Sequence, residues 1–242
     1  MRYIEKHFDT DAVVSHEQEL ANLHLNEESL RRPEVHPGRT GGQLYETVRN
    51  MPTMHALKEQ MYAEQGGVCC YCGMNLDYPF NPQYRVEHVL PKESHREWVG
   101  EYKNLLLSCR ASREEMNLRN CASTRSERKK LIHCDEAKGS QEITYSPLDK
   151  ACEHAFWYDL EGCVHHSNDD AKRDVITLGL AGKYLTDRRR AAIDSLIMAD
   201  GVLTDDDLMA YREGLKKPNA DGKYAEFYFV LIDAINQLLP GD

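Results

Sequence analysis

A chain of 242 residues, 41% of them hydrophobic, is long enough for a self-sufficient core and needs no covalent staple on grounds of size. Its formal charge of −10 excludes a surface coated uniformly for nucleic acid, because phosphate binding concentrates Lys and Arg, but leaves room for one local basic patch. The longest apolar runs, such as "FYFVLI" at 227–232, are too short for a bilayer and the N-terminus lacks the layout of a secretion signal, so a cytoplasmic protein with no membrane partner is expected.

Residues 1–52 open with the strand-like "RYIEK", run through the Glu- and His-rich "SHEQELANLHLNEESL" and reach the turn-rich "RRPEVHPGRTGG", which together read as an N-terminal arm. "MHALKEQMYAEQGG" then places Met54, Leu57 and Met61 at helical intervals and stops at Gly66-Gly67. "YRVEHVL" alternates as a strand, while "EYKNLLLSC" reads as a polar turn entering a buried helix or strand. The Pro-led loop between them carries His95 and Trp98, expected to pack or to line a cleft.

Residues 110–131 hold seven basic side chains, Arg110, Arg113, Arg119, Arg125, Arg128, Lys129 and Lys130, against three acidic ones. This basic insertion reads equally as a phosphate-contacting segment or as a solvated helix laced with ion pairs. A strand pair is expected around Glu161-Gly162, where Cys152 and Cys163 fall. "DAKRDVITLGL", "DRRRAAIDSLIMADG", "DDDLMAYREGLKKP" and "AEFYFVLIDAINQLL" all carry helical periodicity. The expected fold is α+β and mainly helical, divided into 1–52, 53–140 and 141–242.

In a reducing compartment the eight cysteines read as metal ligands or inert thiols rather than disulfides. Cys69 and Cys72 form a Cys-x-x-Cys pair followed by Gly73, a turn that presents two thiolates to a tetrahedral ion. Cys109 and Cys134 are the expected partners in a structural zinc site, with Cys70 and Cys121 as substitutes and ordinary buried thiols as the alternative. Four thiolates leave no open position, so such a zinc would do no chemistry. Glu87 and His88, adjacent on a strand, should face opposite ways unless the backbone bends. In a metal nuclease one of such a pair binds a cation and the other takes a proton from water. The alternative is a solvent-facing Glu beside a partly buried His.

The ordered set Cys-x-x-Cys, "VEHVLPKE", "YKNLLLSC" and "HCDEAKG", over residues 55–139, resembles the HNH endonuclease family, whose ββα-metal site sits on a zinc-stabilised frame. The resemblance implies Glu87 as an acidic ligand of a catalytic Mg²⁺ or Mn²⁺ and His88 as the general base. It implies Asn104 as the residue that orients the histidine by hydrogen bonding. Asp135 stands where the family carries His or Asn and becomes the second cation ligand, with His133 as its rival. Lys138 and the basic insertion would contact phosphates.

Outside the motif, "LKEQMYAEQGGVCCYCGM", "YSPLD", "FWYDLEGCV" and "LGLAGKYLTDRRRAAI" resemble the PtuB-type HNH nucleases of Septu and retron-associated anti-phage systems. That likeness implies an SMC/ABC-like ATPase partner of the PtuA type and, in retron-associated systems, a reverse transcriptase with its RNA–DNA. The implied substrate is nucleic acid, DNA favoured, with RNA such as tRNA as the alternative. The acidic N-terminal arm and the C-terminal helices, with "DDDL" at Asp205 to Leu208, are the implied docking surfaces. A rival of another class is a non-catalytic zinc-binding adaptor between an ATPase and nucleic acid.

Overall fold

The computed structural model describes residues 1–76, 84–198 and 203–239, in which helices dominate and the named strands form two small antiparallel sheets. The chain starts with α1 (Asp11–Asn22), α2 (Glu27–Leu30) and α3 (Gly41–Arg49), each begun by a polar cap. Thr10, Asn26 and Thr40 accept a backbone N–H of the first turn, satisfying a donor the helix itself cannot pair. Val13, Leu20, Leu30, Leu44 and Val48 are buried in the same core as the rest of the chain. Residues 1–52 are therefore packed helices and not a projecting arm. "RYIEK" is extended but belongs to no named strand, and Ile4 N–H donates to the Pro147 carbonyl at 2.8 Å.

Next, α4 (Met54–Glu64) buries the expected Met54, Leu57 and Met61 and gives way to Gly66 and Gly67, both at positive φ. β1 (Tyr84–His88) pairs antiparallel with β2 (Leu105–Cys109), Glu87 opposite Leu106 and His88 opposite Leu105. β2 is buried along its whole length, which explains why its unbroken apolar run was ambiguous in sequence. The basic insertion is two short helices, α5 (Arg113–Cys121) and α6 (Arg125–Lys129), started by the capping boxes Ser112/Glu115 and Thr124/Glu127. α7 (Cys134–Lys138) follows and packs on β2.

After α8 (Cys152–Ala155), β3 (Phe156–Tyr158) and β4 (Val164–His166) form the expected hairpin. Cys152 sits in α8 and Cys163 in the turn, so neither is a strand residue. The remainder is α9 (Asp169–Thr177), α10 (Lys183–Met198), α11 (Asp205–Leu215) and α12 (Tyr228–Leu238). The last three residues of the expected helix "DRRRAAIDSLIMADG" lie outside the described residues.

α12 buries Phe229, Val230, Leu231, Ile232, Ala234 and Ile235, as a helix apolar on most sides must. It also braces the Cys-x-x-Cys turn. Gly73 has φ +80°, and a Cβ there would meet the Phe229 ring at 2.8 Å, while Phe227 N–H donates to the Gly73 carbonyl at 2.8 Å. Among the described residues, no helix is long and apolar enough to cross a membrane.

Candidate metal centre and active site

Three separate segments bring four cysteines together. Cys69 and Cys72 lie in the turn after α4, Cys109 ends β2 and Cys134 begins α7. The turn is closed by Cys69 N–H to the Met74 carbonyl at 2.8 Å and Gly73 N–H to the Cys69 carbonyl at 3.1 Å. All four sulfurs are buried and lie within 4.8 Å of one another. The Cys69–Cys134 and Cys72–Cys109 sulfur pairs are 3.8 and 3.7 Å apart. Zn–S bonds of about 2.3 Å arranged tetrahedrally require edges of about 3.8 Å, so the set fits zinc as it stands.

The surroundings suit thiolates. Cys109 N–H points at Cys69 Sγ at 3.3 Å. Burial pushes the thiols of Cys72 and Cys134 up, and a cation at the centre would supply the opposing charge that ligation needs. Cys134 takes φ +56°, rare for a side chain with a Cβ, and is held there by its N–H to the Leu178 carbonyl at 2.7 Å. The proposed substitutes are elsewhere: Cys70 is buried outside the four-sulfur set and Cys121 is exposed.

His133, the sequence's rival ligand for a catalytic ion, belongs to this sulfur side. Its Nδ1 lies 3.2 Å from Cys134 Sγ and its Nε2 2.9 Å from Glu115 Oε1, with the ring stacked on Tyr184. Both nitrogens are engaged away from the cleft. Arg119 is likewise buried, its guanidinium bridging Glu136 at 3.0 Å and Glu115 at 3.3 Å. It ties α5 to α7 and is not a surface phosphate contact.

The other face of the β1–β2–α7 unit is a cleft of ≈ 390 Å³ lined by Glu87, His88 and Asp135. Glu87 and His88 line it together, contrary to the alternation expected of adjacent strand residues. β1 stops at His88 and the chain bends at the next two residues, which removes the constraint. Glu87 Oε1 accepts from Tyr71 Oη at 2.7 Å and lies 2.8 Å from Lys138 Nζ. Burial, together with Asp135 in hydrogen-bonding contact, pushes the Glu87 carboxyl up to about 8, against the pull of Lys138. Asp135, partly exposed, receives Arg85 at 3.7 Å and donates its backbone N–H to Ser108 Oγ at 3.3 Å.

His88 Nε2 sits 2.9 Å from the Val99 carbonyl. A carbonyl only accepts, so Nε2 carries the proton and Nδ1 is the bare nitrogen. Nδ1 has no hydrogen-bond partner among the described residues. Burial holds this imidazole down to about 4, which keeps it neutral at physiological pH, the form a general base requires. Tyr45 meets the ring edge-on at 4.6 Å between centroids.

Asn104, which the resemblance implied would hydrogen-bond the imidazole, does not bond it. Its Oδ1 accepts from Leu90 N–H at 2.8 Å and its Nδ2 donates to the Leu90 and Trp98 carbonyls at 3.0 and 3.3 Å. It pins both ends of the loop whose next residue supplies the Val99 carbonyl, so it positions His88 through the backbone.

Lys138 is also misplaced by the sequence reading. It is fully buried, its Nζ shared between Glu87 and the His88 carbonyl at 2.9 Å, and so it reaches no phosphate on the surface. Arg113, Arg125, Arg128, Lys129 and Lys130 are exposed but none lines the cleft. The cleft's cations are Arg49, Lys58, Arg85, Lys92 and Arg110, of which sequence reasoning had singled out Arg110 alone. His95 pairs with Glu142 at 2.9 Å and stacks on Trp98, outside the cleft lining.

The fold and site define an α+β protein in which a four-cysteine set fit for zinc backs a cleft that holds Glu87, Asp135 and a neutral imidazole. No protein-family model matches the chain, and no curated protein matches it.

Proposed function

We propose that this protein is a metal-dependent endonuclease of the HNH type, hydrolysing phosphodiester bonds of nucleic acid, DNA favoured. The observation that carries this reading is the convergence of Glu87, His88 and Asp135 on one cleft, delivered by β1 and α7 against the four-cysteine set. Zinc at Cys69, Cys72, Cys109 and Cys134 would be structural. Two converging carboxylates, Glu87 and Asp135, suit a hard cation such as Mg²⁺ or Mn²⁺.

His88 Nδ1 takes a proton from water as the water oxygen attacks phosphorus, and the bond from phosphorus to the leaving oxygen breaks. The leaving oxygen is protonated by solvent. The Val99 carbonyl and the edge of Tyr45 hold the imidazole in the orientation that this transfer needs. A divalent cation on Glu87 and Asp135 supplies charge stabilisation at the phosphate and the leaving oxygen. Asn104 and Lys138 act at one remove, the first through the loop backbone and the second by offsetting the charge of Glu87.

The same likeness that suggests the nuclease suggests its setting, an anti-phage complex with an SMC/ABC-like ATPase of the PtuA type. Supporting that partnership is an acidic chain whose Asp205 and Asp206 stand exposed at the start of α11. The rival reading, a non-catalytic zinc adaptor, draws on Lys138, which already serves Glu87 as a counter-ion. Zinc-loaded protein incubated with duplex DNA, single-stranded DNA and tRNA separates the readings. Cutting that appears on adding Mg²⁺ or Mn²⁺ is expected, and the substrate cut distinguishes DNA from RNA. No cutting at any Mg²⁺ or Mn²⁺ concentration would favour the adaptor.

A further inference from the structure

We propose that the nucleic-acid backbone is gripped by a set of cleft cations, Arg49, Lys58, Lys92 and Arg110, so that the N-terminal helices form part of the substrate track. The inference rests on the nuclease reading and names the residues that hold its substrate. Arg49 ends α3, Lys58 lies on α4, Lys92 follows His88 in the loop after β1, and Arg110 follows β2. All four line the cleft that holds Glu87, His88 and Asp135.

Their charges are largely unanswered. Lys58, Lys92 and Arg110 have no carboxylate partner among the described residues, and Arg49 pairs only with the exposed Glu46 at 2.6 Å. Lys58 is partly buried with Arg49 as its like-charged neighbour, and burial followed by that repulsion lowers its pKa. Of the carboxylates on the same lining, Glu87 faces Lys138, Asp135 faces Arg85 and Glu93 accepts from Gly42 N–H, and like charges left without a share in those pairs favour an anion between them. In a chain of net charge −10, a cleft lined by such cations has the local polarity that attracts a polyanion. Four segments of the chain contribute them, and a polyanion offers a phosphate to each where one small anion cannot.

The basic insertion differs. Arg119 is consumed in ion pairs, Arg128 donates its Nε to the Arg119 carbonyl at 3.1 Å, and the exposed members lie off the cleft. Arg85 is tethered to Asp135 and Glu136, so it is no clean probe.

The test is the salt dependence of binding of zinc-loaded protein to labelled duplex and single-stranded oligonucleotides, without magnesium, read by fluorescence anisotropy. Lys58→Ala combined with Arg110→Ala should lower the slope of log affinity against log salt by about 1.4–1.8, the loss of two phosphate contacts. Zinc content and melting temperature should not change. Arg125→Ala combined with Lys129→Ala and Lys130→Ala should keep the parent slope. If the first variant keeps the parent slope and the second loses it, the inference fails while the nuclease reading stands. If the parent protein binds neither oligonucleotide, both fail.

Discussion

Cys72→Ala is expected to yield protein that lacks zinc and is mostly insoluble. A structural zinc held by four thiolates contributes about 10–16 kcal/mol of apparent binding energy, comparable with or larger than the about 5–15 kcal/mol that keeps an ordinary domain folded. Cys72 shares its sulfur environment with Cys109 at 3.7 Å, in a turn braced from behind by Phe229. Losing the ion releases the α4 turn, the end of β2 and the start of α7 together, because each contributes a ligand. Cys121→Ala, at an exposed position, should change neither zinc content nor soluble yield. Zinc per chain by mass spectrometry and the soluble fraction on expression read the outcome. A soluble Cys72→Ala protein carrying full zinc would refute the four-ligand assignment.

Glu87→Gln should cost both stability and cleavage. Above about pH 8, where the Glu87 carboxyl is ionised, Lys138 is its buried ion-pair partner at 2.8 Å, and leaving one member of a buried pair alone costs about 3–5 kcal/mol. The amide can still accept from Tyr71 and Lys138 but no longer balances the ammonium charge. Removing one of two carboxylates also weakens any cation bound there, and several kcal/mol of charge stabilisation correspond to about 10²–10⁴ in rate. The two effects are separable. Glu87→Gln combined with Lys138→Met removes both charges and should regain most of the denaturation midpoint, while cleavage stays lost. A single variant that matches wild type in midpoint and in rate would remove Glu87 from the centre.

The four-cysteine set was legible in sequence because ligation demands particular residue types, and the Cys-x-x-Cys turn announces itself with Gly73. Cys109 and Cys134 were the expected partners because each lies beside residues that look structural or functional. α4 and the C-terminal helices α9 to α12 were legible from their helical period. Residues 1–52 were misread because their charge density hid Val13, Leu20, Leu44 and Val48, whose spacing places them on core-facing sides.

Lys138 and Asn104 failed for a different reason. A lysine in "CDEAKG" has no local mark of burial, since the carboxylate that holds it comes from β1. The partners of Asn104 are backbone groups of a loop whose path no side-chain pattern encodes. The cleft cations were invisible for the same reason, because four elements that are distant in sequence supply them.

The most direct test of a hydrolytic centre on a zinc frame is cleavage by His88→Ala beside wild type, both zinc-loaded and at equal Mg²⁺. A positioned general base contributes about 10²–10⁴-fold, so the variant should cut slower by that factor while retaining its zinc. Cleavage within a few-fold of wild type would contradict the assignment of His88 as the base.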